Sequence, residues 1–369
     1  MTYLDHAATT PLRECARTAW LEASELLNPG GQYASGRRAR RALEEARERI
    51  AGVLDCHPVE VIFTASGTEA NNLAVRGLAA ASQSPRIVST PIEHPSVLET
   101  VRALASQPEW LPVGSDGVVA DLDALSTPAA VICCMWANNE TGAIQPIDRV
   151  IAAAGQTPVH VDAVQAVGHL PVSFRGVGAT TLSASAHKFG GPRGVGLLLA
   201  KRSPAPKPVL TGGGQERGLR PGTVDVAGAV ATAAALEEAV ATMAAEHTRL
   251  AGLRDELRDR ILAEVDDVLI HTPSHGALPG HLFVSFPGAE GDSLIMLFDA
   301  VGIECSTGSA CAHGVNRASE TLLAQGVSEQ HARSALRFSL GRTTTAADID
   351  AVAAQVGDVV RRARIAGMA

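Results

Sequence analysis

Short apolar runs alternate with segments of helical period through the first two thirds of the chain, and this alternation constrains the fold most. The runs lie at residues 61–63, 86–88, 130–135, 159–161, 182–184 and 195–199. Short apolar runs separated by segments of helical period are typical of a mostly parallel sheet flanked by helices. The sequence therefore predicts an α/β fold with a mostly parallel sheet covered by helices.

The helical pattern also predicts how the chain divides. A chain of 369 residues exceeds the roughly 250–300 residues at which a single core stops growing. An amphipathic helix is predicted at 37–54, and a longer one at 226–265 can bridge two domains. We expect a large domain at 12–255 and a smaller α+β domain from 1–11 and 256–369.

Charge and cysteine content narrow the class of protein. The net charge is −8, and the most arginine-rich run, at 37–41, alternates into glutamates, so we expect no nucleic-acid partner. Asp5 and His6 stand where a signal peptide needs basic and then apolar residues, and we expect a cytoplasmic chain with no membrane partner. Six cysteines without zinc-type spacing predict reduced thiols and no metal site.

Lysine is scarce enough to be informative. The chain has only Lys188, Lys201 and Lys207, and the last two flank a proline-rich segment typical of an exposed loop. Lys188 instead lies in the segment SASAHKFGG, between two apolar runs. A desolvated lysine beside cationic or phosphate-binding groups is suited to forming a Schiff base.

Three segments follow strands at the edge where ligands bind in α/β sheets. Residues 65–72 form a small-residue turn that opens a helix and suits a phosphate, although an ordinary helix cap has the same appearance. Asp162 ends a buried run, where it either caps the next helix or meets a cationic ligand group. Together with the Lys188 segment, these features predict a pocket for pyridoxal phosphate.

The same segments carry a resemblance to a known family. The chain resembles the cysteine desulfurases of the fold-type-I, class V aminotransferase-like pyridoxal-phosphate enzymes, and the resemblance covers essentially its whole length. The motifs that carry it are YLDHAATTP, FTASGTEANN, WANNETG, HVDAVQAVG, SASAHKFGGPRGVG, GGGQERGLRPGT, CSTGSACA and LRFSLGRTTT. The resemblance implies a pyridoxal-phosphate-dependent transferase fold and a large domain that binds the cofactor.

The resemblance also implies roles for residues around the cofactor. Lys188 is similar to the lysine that forms the imine with pyridoxal phosphate, and Asp162 to the partner of the pyridine nitrogen. Gln165 would bind the ring hydroxyl, and His94 would stack on the ring and move protons. The residues implied at the phosphate are Gly67, Thr68, Ser185 and His187, with Thr223 reaching the phosphate of the neighbouring subunit in a homodimer.

Further resemblance implies the substrate and the reaction. Asn139 and Arg337 are similar to the clamp for the carboxylate of L-cysteine, and a guanidinium suits that task. Cys311, on the small-domain loop, resembles the thiol that takes the substrate sulfur as a persulfide and leaves alanine. The implied acceptors are iron–sulfur scaffold proteins or thiolation enzymes, and the segment after Cys311 is similar to the long-loop type. Cys305 is a second thiol that could receive sulfur or simply pack.

Two alternatives remain open at this point. One is a selenocysteine lyase or another class V lyase or transaminase, and the other is a non-catalytic sulfur carrier or regulatory homologue that keeps the fold. The thiol at Cys311 argues against a transaminase, and the set of Lys188, Asp162 and Cys311 argues against a non-catalytic chain. The sequence departs from the family pattern at residues 28–33, where Tyr33 replaces the usual histidine, and again after Cys311.

Overall fold

The computed structural model describes residues 1–308 and 318–367. The strands are β1 Thr2–Tyr3, β2 Val61–Thr64, β3 Ile87–Ser89, β4 Glu109–Trp110, β5 Val131–Cys133, β6 Val159–Asp162, β7 Thr181–Ser185, β8 Gly196–Ala200, β9 Leu269–Ile270, β10 His281–Ser285, β11 Ile303–Glu304 and β12 Ala335–Ser339.

The α-helices are α1 Glu14–Ala23, α2 Ala34–Val53, α3 Gly67–Ala81, α4 Pro95–Leu104, α5 Ile147–Ala154, α6 Phe174–Val177, α7 Val226–Glu264, α8 Gly291–Ala300, α9 Glu320–Ala324, α10 Glu329–Arg333 and α11 Ala346–Gly367. Short 3-10 turns lie at Pro58–Glu60, Asp123–Ser126, Ala186–Lys188 and Glu216–Gly218.

Seven of the described strands form the main sheet, in the order β2-β8-β7-β6-β5-β3-β4. The pairs from β7 through to β4 are parallel, whereas β8 runs antiparallel to both β7 and β2. The central strands of the main sheet, β6, β7 and β8, are buried along their whole length. The sequence predicted such a mostly parallel, helix-covered sheet from the alternation of short apolar runs with helical segments, and the structure confirms it.

A second core surrounds the C-terminal part of the chain. The antiparallel sheet β12-β10-β9 packs its apolar side chains with those of α8 and α11. Leu4, from the N-terminal segment, is fully buried in this second core, and β1 pairs with β11. The limits of 12–255 for a large domain and of 1–11 with 256–369 for a smaller one stay predictions.

Helix α7 contributes to both cores. Its buried apolar residues between Val226 and Ala239 belong to the main core, whereas Leu250, Leu257 and Ile261 are buried in the second core. By length and composition alone this helix could cross a membrane, but over half of its most apolar window is buried inside the protein. Packing in two cores therefore accounts for the apolar character of α7.

The fold brings distant segments to one edge of the main sheet. Strands β6 and β7 are parallel neighbours and end at Asp162 and Ser185, so these two residues lie at the same edge. The N-terminal residues return to this edge because the backbone N–H of Thr10 donates to the carbonyl of His187. The predicted cofactor-binding segments therefore converge at this edge.

Candidate active site

The start of α3 packs closely against the ends of β6 and β7. A Cβ atom at Gly67 would lie 2.9 Å from Val164 Cγ2 and 3.2 Å from Ser185 Cβ, so only glycine fits there without displacing a neighbour. Ser66 caps the helix by accepting a hydrogen bond from the N–H of Glu69 at 3.0 Å. This close approach leaves the first turn of α3, with Gly67 and Thr68, facing the strand ends, which suits a phosphate.

Asp162 is held by a hydrogen bond to each carboxylate oxygen. Its Oδ2 accepts from Asn71 Nδ2 at 2.7 Å, and its Oδ1 accepts from the backbone N–H of Val164 at 2.9 Å. The side chain is buried, and the following α-helix begins only at Phe174. Asp162 therefore holds the turn that follows it instead of capping a helix, and an acceptor in this position suits a protonated pyridine nitrogen.

Lys188 directly follows β7 in a single 3-10 turn. Its Nζ donates to the carbonyl oxygens of Ala7 at 2.5 Å and Ala8 at 2.8 Å. Gln165 Nε2 donates to the same Ala7 carbonyl at 3.0 Å. The structure therefore brings Lys188 and Gln165 together, and the N-terminal segment supplies the acceptors that hold them.

His94 caps α4 and lies near the other cofactor groups. Its Nδ1 accepts the backbone N–H of Ser96 at 3.1 Å and lies 2.7 Å from Ser96 Oγ. Burial lowers the pKa of His94, the charge of Lys188 lowers it further, and Asp162 opposes both. His94 is consequently neutral near pH 7, and it is linked to Asp162 through Ser96 Oγ, which accepts a hydrogen bond from the same Asn71 Nδ2 that donates to Asp162.

The remaining residues predicted at the phosphate differ in position. Ser185 is buried at the end of β7, beside Gly67. His187 Nδ1 lies 3.2 Å from Thr9 Oγ1, and burial, together with Lys188 and Arg193, lowers the pKa of His187 to about 4. Thr223 is exposed and lines a cavity of about 600 Å³ whose other lining residues include none of the predicted cofactor-binding set. Within one chain, the structure does not bring Thr223 to Lys188.

Arg337, which is predicted for the carboxylate clamp, lies on β12 beside Asn139. Arg337 Nη1 donates to the backbone carbonyl of Asn139 at 2.7 Å, and Nη2 donates to Asp5 Oδ1 at 2.6 Å. The Arg337 side chain is only 3% exposed. Within residues 1–308 and 318–367, its Nε has no hydrogen-bond partner, so a buried donor is left for a ligand.

Cys311 lies outside the described residues, but Glu140 contacts residues on both sides of its segment. Glu140 accepts hydrogen bonds from the hydroxyls of Ser319 and Thr321. A Cβ at Gly308, whose φ is +85°, would lie 3.1 Å from Glu140 Cγ. Glu140 therefore lies against both Gly308 and Ser319.

Cys305 is described, and its surroundings disfavour reactivity. Burial raises the pKa of the Cys305 thiol well above its ordinary value, with Asp5 adding to the effect and Arg337 opposing it. A thiol that stays protonated is a poor nucleophile. The buried thiols of Cys133 and Cys134 have pKa values raised by burial in the same way.

Sequence reasoning missed several side chains of this site. Asn71 and Asp5 contact predicted site residues, and His160 contacts Asn71, but none of the three was given a role of its own. One signal was present for His160, because it stands two positions before Asp162 and therefore points to the same face of β6. Asn71 and Asp5 lie inside motifs that the sequence singled out, but nothing local indicates which atoms they contact. No group of His, Cys, Asp and Glu placed to hold a metal ion occurs among the described residues.

Comparison with known proteins extends over nearly the whole chain. A family model described as Aminotransferase class-V matches residues 2–352. An IscS-like cysteine desulfurase from Mycobacterium tuberculosis is 46% identical, with 100% of this chain and 98% of that protein covered. The cysteine desulfurase IscS of Dictyoglomus turgidum is 39% identical, with 94% and 91% covered. A solved structure of a NifS-like protein has a TM-score of 0.91 and 33% identity, covering 98% of this chain and 99% of that one.

Proposed function

This chain belongs to the aminotransferase class-V family and, within it, to the pyridoxal-phosphate-dependent cysteine desulfurases, and from that premise we propose which of its residues carry the reaction. The enzyme acts on L-cysteine and transfers its sulfur to acceptors. The observation that carries the residue assignment is that Asp162 and the end of β7, which Lys188 follows, lie at one edge of the main sheet, where Asn71 and Ser96 link Asp162 to His94.

The donor set at that edge fits pyridoxal phosphate. The phosphate would be held by Gly67, Thr68, Ser185 and His187. Gly67 allows the start of α3 to pack closely against Ser185, which brings the helix N-terminus to the strand ends. Asp162 would accept from the pyridine nitrogen, and Gln165 would bind the ring hydroxyl. When bound, the cofactor withdraws electrons from the amino acid attached to it and thereby weakens the bond between Cβ and sulfur.

The polar side chains nearby would hold and protonate the substrate. Arg337, with Asn139 beside it, would bind the carboxylate of L-cysteine through its guanidinium, whose Nε is buried without a partner among the described residues. Lys188 would hold the cofactor and, once displaced by substrate, its amine would accept protons. His94, which burial keeps neutral, would also move protons near the ring.

Cys311 would be the sulfur acceptor. Its thiolate attacks the sulfur of L-cysteine, the Cβ–S bond breaks, and Cβ gains a proton, so the products are L-alanine and a Cys311 persulfide. This stoichiometry needs no added oxidant or reductant. Cys305 is a poor second acceptor because burial keeps its thiol protonated.

The chain would act as a homodimer in the cytoplasm. Thr223 is exposed and lines a cavity that contains none of the other predicted cofactor residues, which supports the proposal that it binds the phosphate in a neighbouring subunit. Asn28, Pro29 and Gly30, which open the segment 28–33 that carries the departure from the family pattern, line the same cavity as Thr223. We expect this cavity to lie against the partner subunit.

The sulfur would pass to an iron–sulfur scaffold protein or a thiolation enzyme. This proposal is supported by relatives named IscS and NifS, which are cysteine desulfurases. Those names do not favour the alternatives of a selenocysteine lyase or a non-catalytic homologue.

The replacement of Cys311 with serine tests the proposed sulfur step. The variant should fold, bind pyridoxal phosphate and stay yellow, but form almost no alanine from L-cysteine, since a hydroxyl is poorly ionised at neutral pH. Cys305→Ser is the matched control, and it should retain most of the alanine formation. Persulfide labelling should map to Cys311. Substantial alanine formation by Cys311→Ser would favour the selenocysteine-lyase alternative.

A further inference from the structure

A chain of buried polar side chains lies beneath Asp162, and the reaction as proposed does not use it. Asn71 Nδ2 is 2.7 Å from Asp162 Oδ2, and Asn71 Oδ1 is 3.0 Å from His160 Nε2. His160 Nδ1 lies 3.0 Å from Thr181 Oγ1 on the neighbouring strand β7. Asn71 is only 1% exposed, and His160 and Thr181 are fully buried. A buried polar network of this kind needs a partner for every atom.

The direction of each hydrogen bond in this chain follows from Asp162. An ionised carboxylate only accepts, so the amide nitrogen of Asn71 must face it and the amide oxygen must face His160. Nε2 of His160 therefore carries the proton and donates to Asn71. Nδ1 of His160 then accepts from the hydroxyl of Thr181. Burial lowers the pKa of His160 to about 4, which leaves one N–H on the ring at neutral pH.

The same amide nitrogen also reaches toward His94. Asn71 Nδ2 donates a second hydrogen bond to Ser96 Oγ at 2.8 Å, which frees the Ser96 hydroxyl proton to point at His94 Nδ1, 2.7 Å away. The backbone N–H of Ser96, which can only donate, approaches the same Nδ1 at 3.1 Å. Nδ1 of His94 is therefore an acceptor, and neutral His94 carries its proton on Nε2.

We propose that Asn71 is the positioning residue of this site, holding Asp162 as an ionised acceptor for the cofactor nitrogen and, through Ser96, holding His94 with its proton on Nε2. The proposal rests on the proposed function of Asp162 and His94. It also divides the proton transfers between two groups. Neutral His94 can give a proton from Nε2 but cannot accept one there, so the Cα proton of the substrate passes to the amine of Lys188.

Asn71→Leu tests the arm that reaches Asp162. Leucine has a similar volume but no donor, so Asp162 loses one of its two hydrogen bonds. We expect the Kd for pyridoxal phosphate, titrated into the cofactor-stripped full chain, to rise about tenfold or more. The visible absorption band of the bound cofactor should also shift, because the carboxylate no longer has a fixed orientation at the ring nitrogen.

Gln145→Leu is the matched control. Gln145 is another buried amide, which bonds the carbonyl of Gly117 and the N–H of Val119 away from the site. Its loss should lower the melting temperature without changing the cofactor Kd or the absorption band. If Asn71→Leu fails to fold, His160→Leu and His160→Gln replace it. The glutamine retains a donor toward Asn71 and should restore the wild-type Kd, whereas leucine should not.

Selective ¹⁵N-histidine labelling of the full-length holoenzyme tests the arm that reaches His94. The His94 signal, identified by its loss in His94→Gln, should show an unprotonated Nδ1 and a protonated Nε2. A proton on Nδ1, or a wild-type cofactor Kd and spectrum in the Asn71 variant, would overturn the proposal. If the wild-type chain binds no pyridoxal phosphate at all, the residue assignment under the proposed function is wrong instead.

Discussion

The two sides of the active site satisfy their buried polar groups differently. On the cofactor side, Asp162 and Asn71 use each of their side-chain polar atoms in a hydrogen bond. On the substrate side, Arg337 Nε and His281 Nε2 are buried with no partner in the part of the chain that the structure describes. His281 is the first residue of β10, and Arg337 lowers its pKa in addition to the larger effect of burial.

This difference matches the two kinds of ligand that we propose. A satisfied network fixes Asp162 in one orientation, which suits a group that stays bound through every turnover. A buried donor without a partner lowers the free energy of unfolding by roughly 1–3 kcal/mol, and a carboxylate that accepts its hydrogen bond removes that cost. The substrate side is therefore arranged for a ligand that arrives and leaves, with Arg337 held in place by Asp5 and Asn139.

The largest effect should come from Lys188→Ala on the cofactor side. The variant should lose all turnover, since Lys201 is occupied with the carbonyl of Gly178 and Lys207 lies in an exposed loop. Borohydride reduction of the wild-type holoenzyme, followed by peptide mapping, should find the cofactor on Lys188. Attachment to either other lysine would contradict the assignment.

Arg337→Lys should have the next largest effect, on the substrate side. A lysine keeps the charge but replaces a planar fork with a single ammonium, so the KM for L-cysteine should rise about tenfold or more. Steady-state kinetics with the cofactor spectrum as a second measurement checks this, because the spectrum should not change. Arg249→Lys is the control, since Arg249 is a partly buried arginine that binds the backbone carbonyls of Gly341 and Thr344 instead.

Asp5→Asn should have a smaller effect on the same KM. Asparagine keeps the shape and an acceptor oxygen but removes the charge, so Arg337 is held less firmly and the KM should rise several-fold. Binding of the cofactor should be unaffected. A fall in KM would mean instead that Asp5 competes with the substrate carboxylate for Arg337.

Glu93→Gln should have the smallest effect, on stability alone. Glu93 is an exception on the cofactor side, because one of its buried carboxylate oxygens, Oε2, has no partner among the described residues. Burial raises the pKa of Glu93 from 4.5 to about 8. Above about pH 4.5 the folded chain therefore holds a proton on Glu93 that the unfolded chain releases. As the pH rises toward 8, this difference lowers the free energy of unfolding.

Glutamine resembles the protonated form of Glu93 and cannot ionise. The variant should melt a few degrees higher than wild type at pH 8 and at the same temperature near pH 4.5. Calorimetry across this pH range checks the difference. Equal melting temperatures at pH 8 would show that Glu93 is already ionised in the folded chain.

The sequence predicted those features that local pattern determines. The short apolar runs indicated the strands of the main sheet. The helix predicted at 226–265 is observed as Val226–Glu264. Lys188 and Asp162 could be found because both follow strands, and strand ends meet at one edge of a parallel sheet. Helix α2 begins at Ala34, three residues before the predicted start at 37. The prediction missed this first turn because the segment around Tyr33 carries only weak local signals.

The contacts that organise the site could not be predicted in this way. Asn71 and Asp162 are 91 residues apart, and Asp5 and Arg337 are 332 residues apart. Which atoms meet depends on the order of strands in the sheet and on the return of the N-terminal segment, neither of which a local pattern contains. Thr223 shows a further limit, because a role in a neighbouring subunit depends on an interface that one chain does not contain.

The position of the N-terminal segment has a consequence for synthesis on the ribosome. Residues 2–8 are translated long before their partners, because β1 pairs with β11, Leu4 is buried in the same core as Leu336, and Asp5 binds Arg337. None of these partners exists until the last quarter of the chain has been translated. Residues 2–8 therefore stay without these partners while the main sheet forms. Packing of the second core should be a late and slow step of folding.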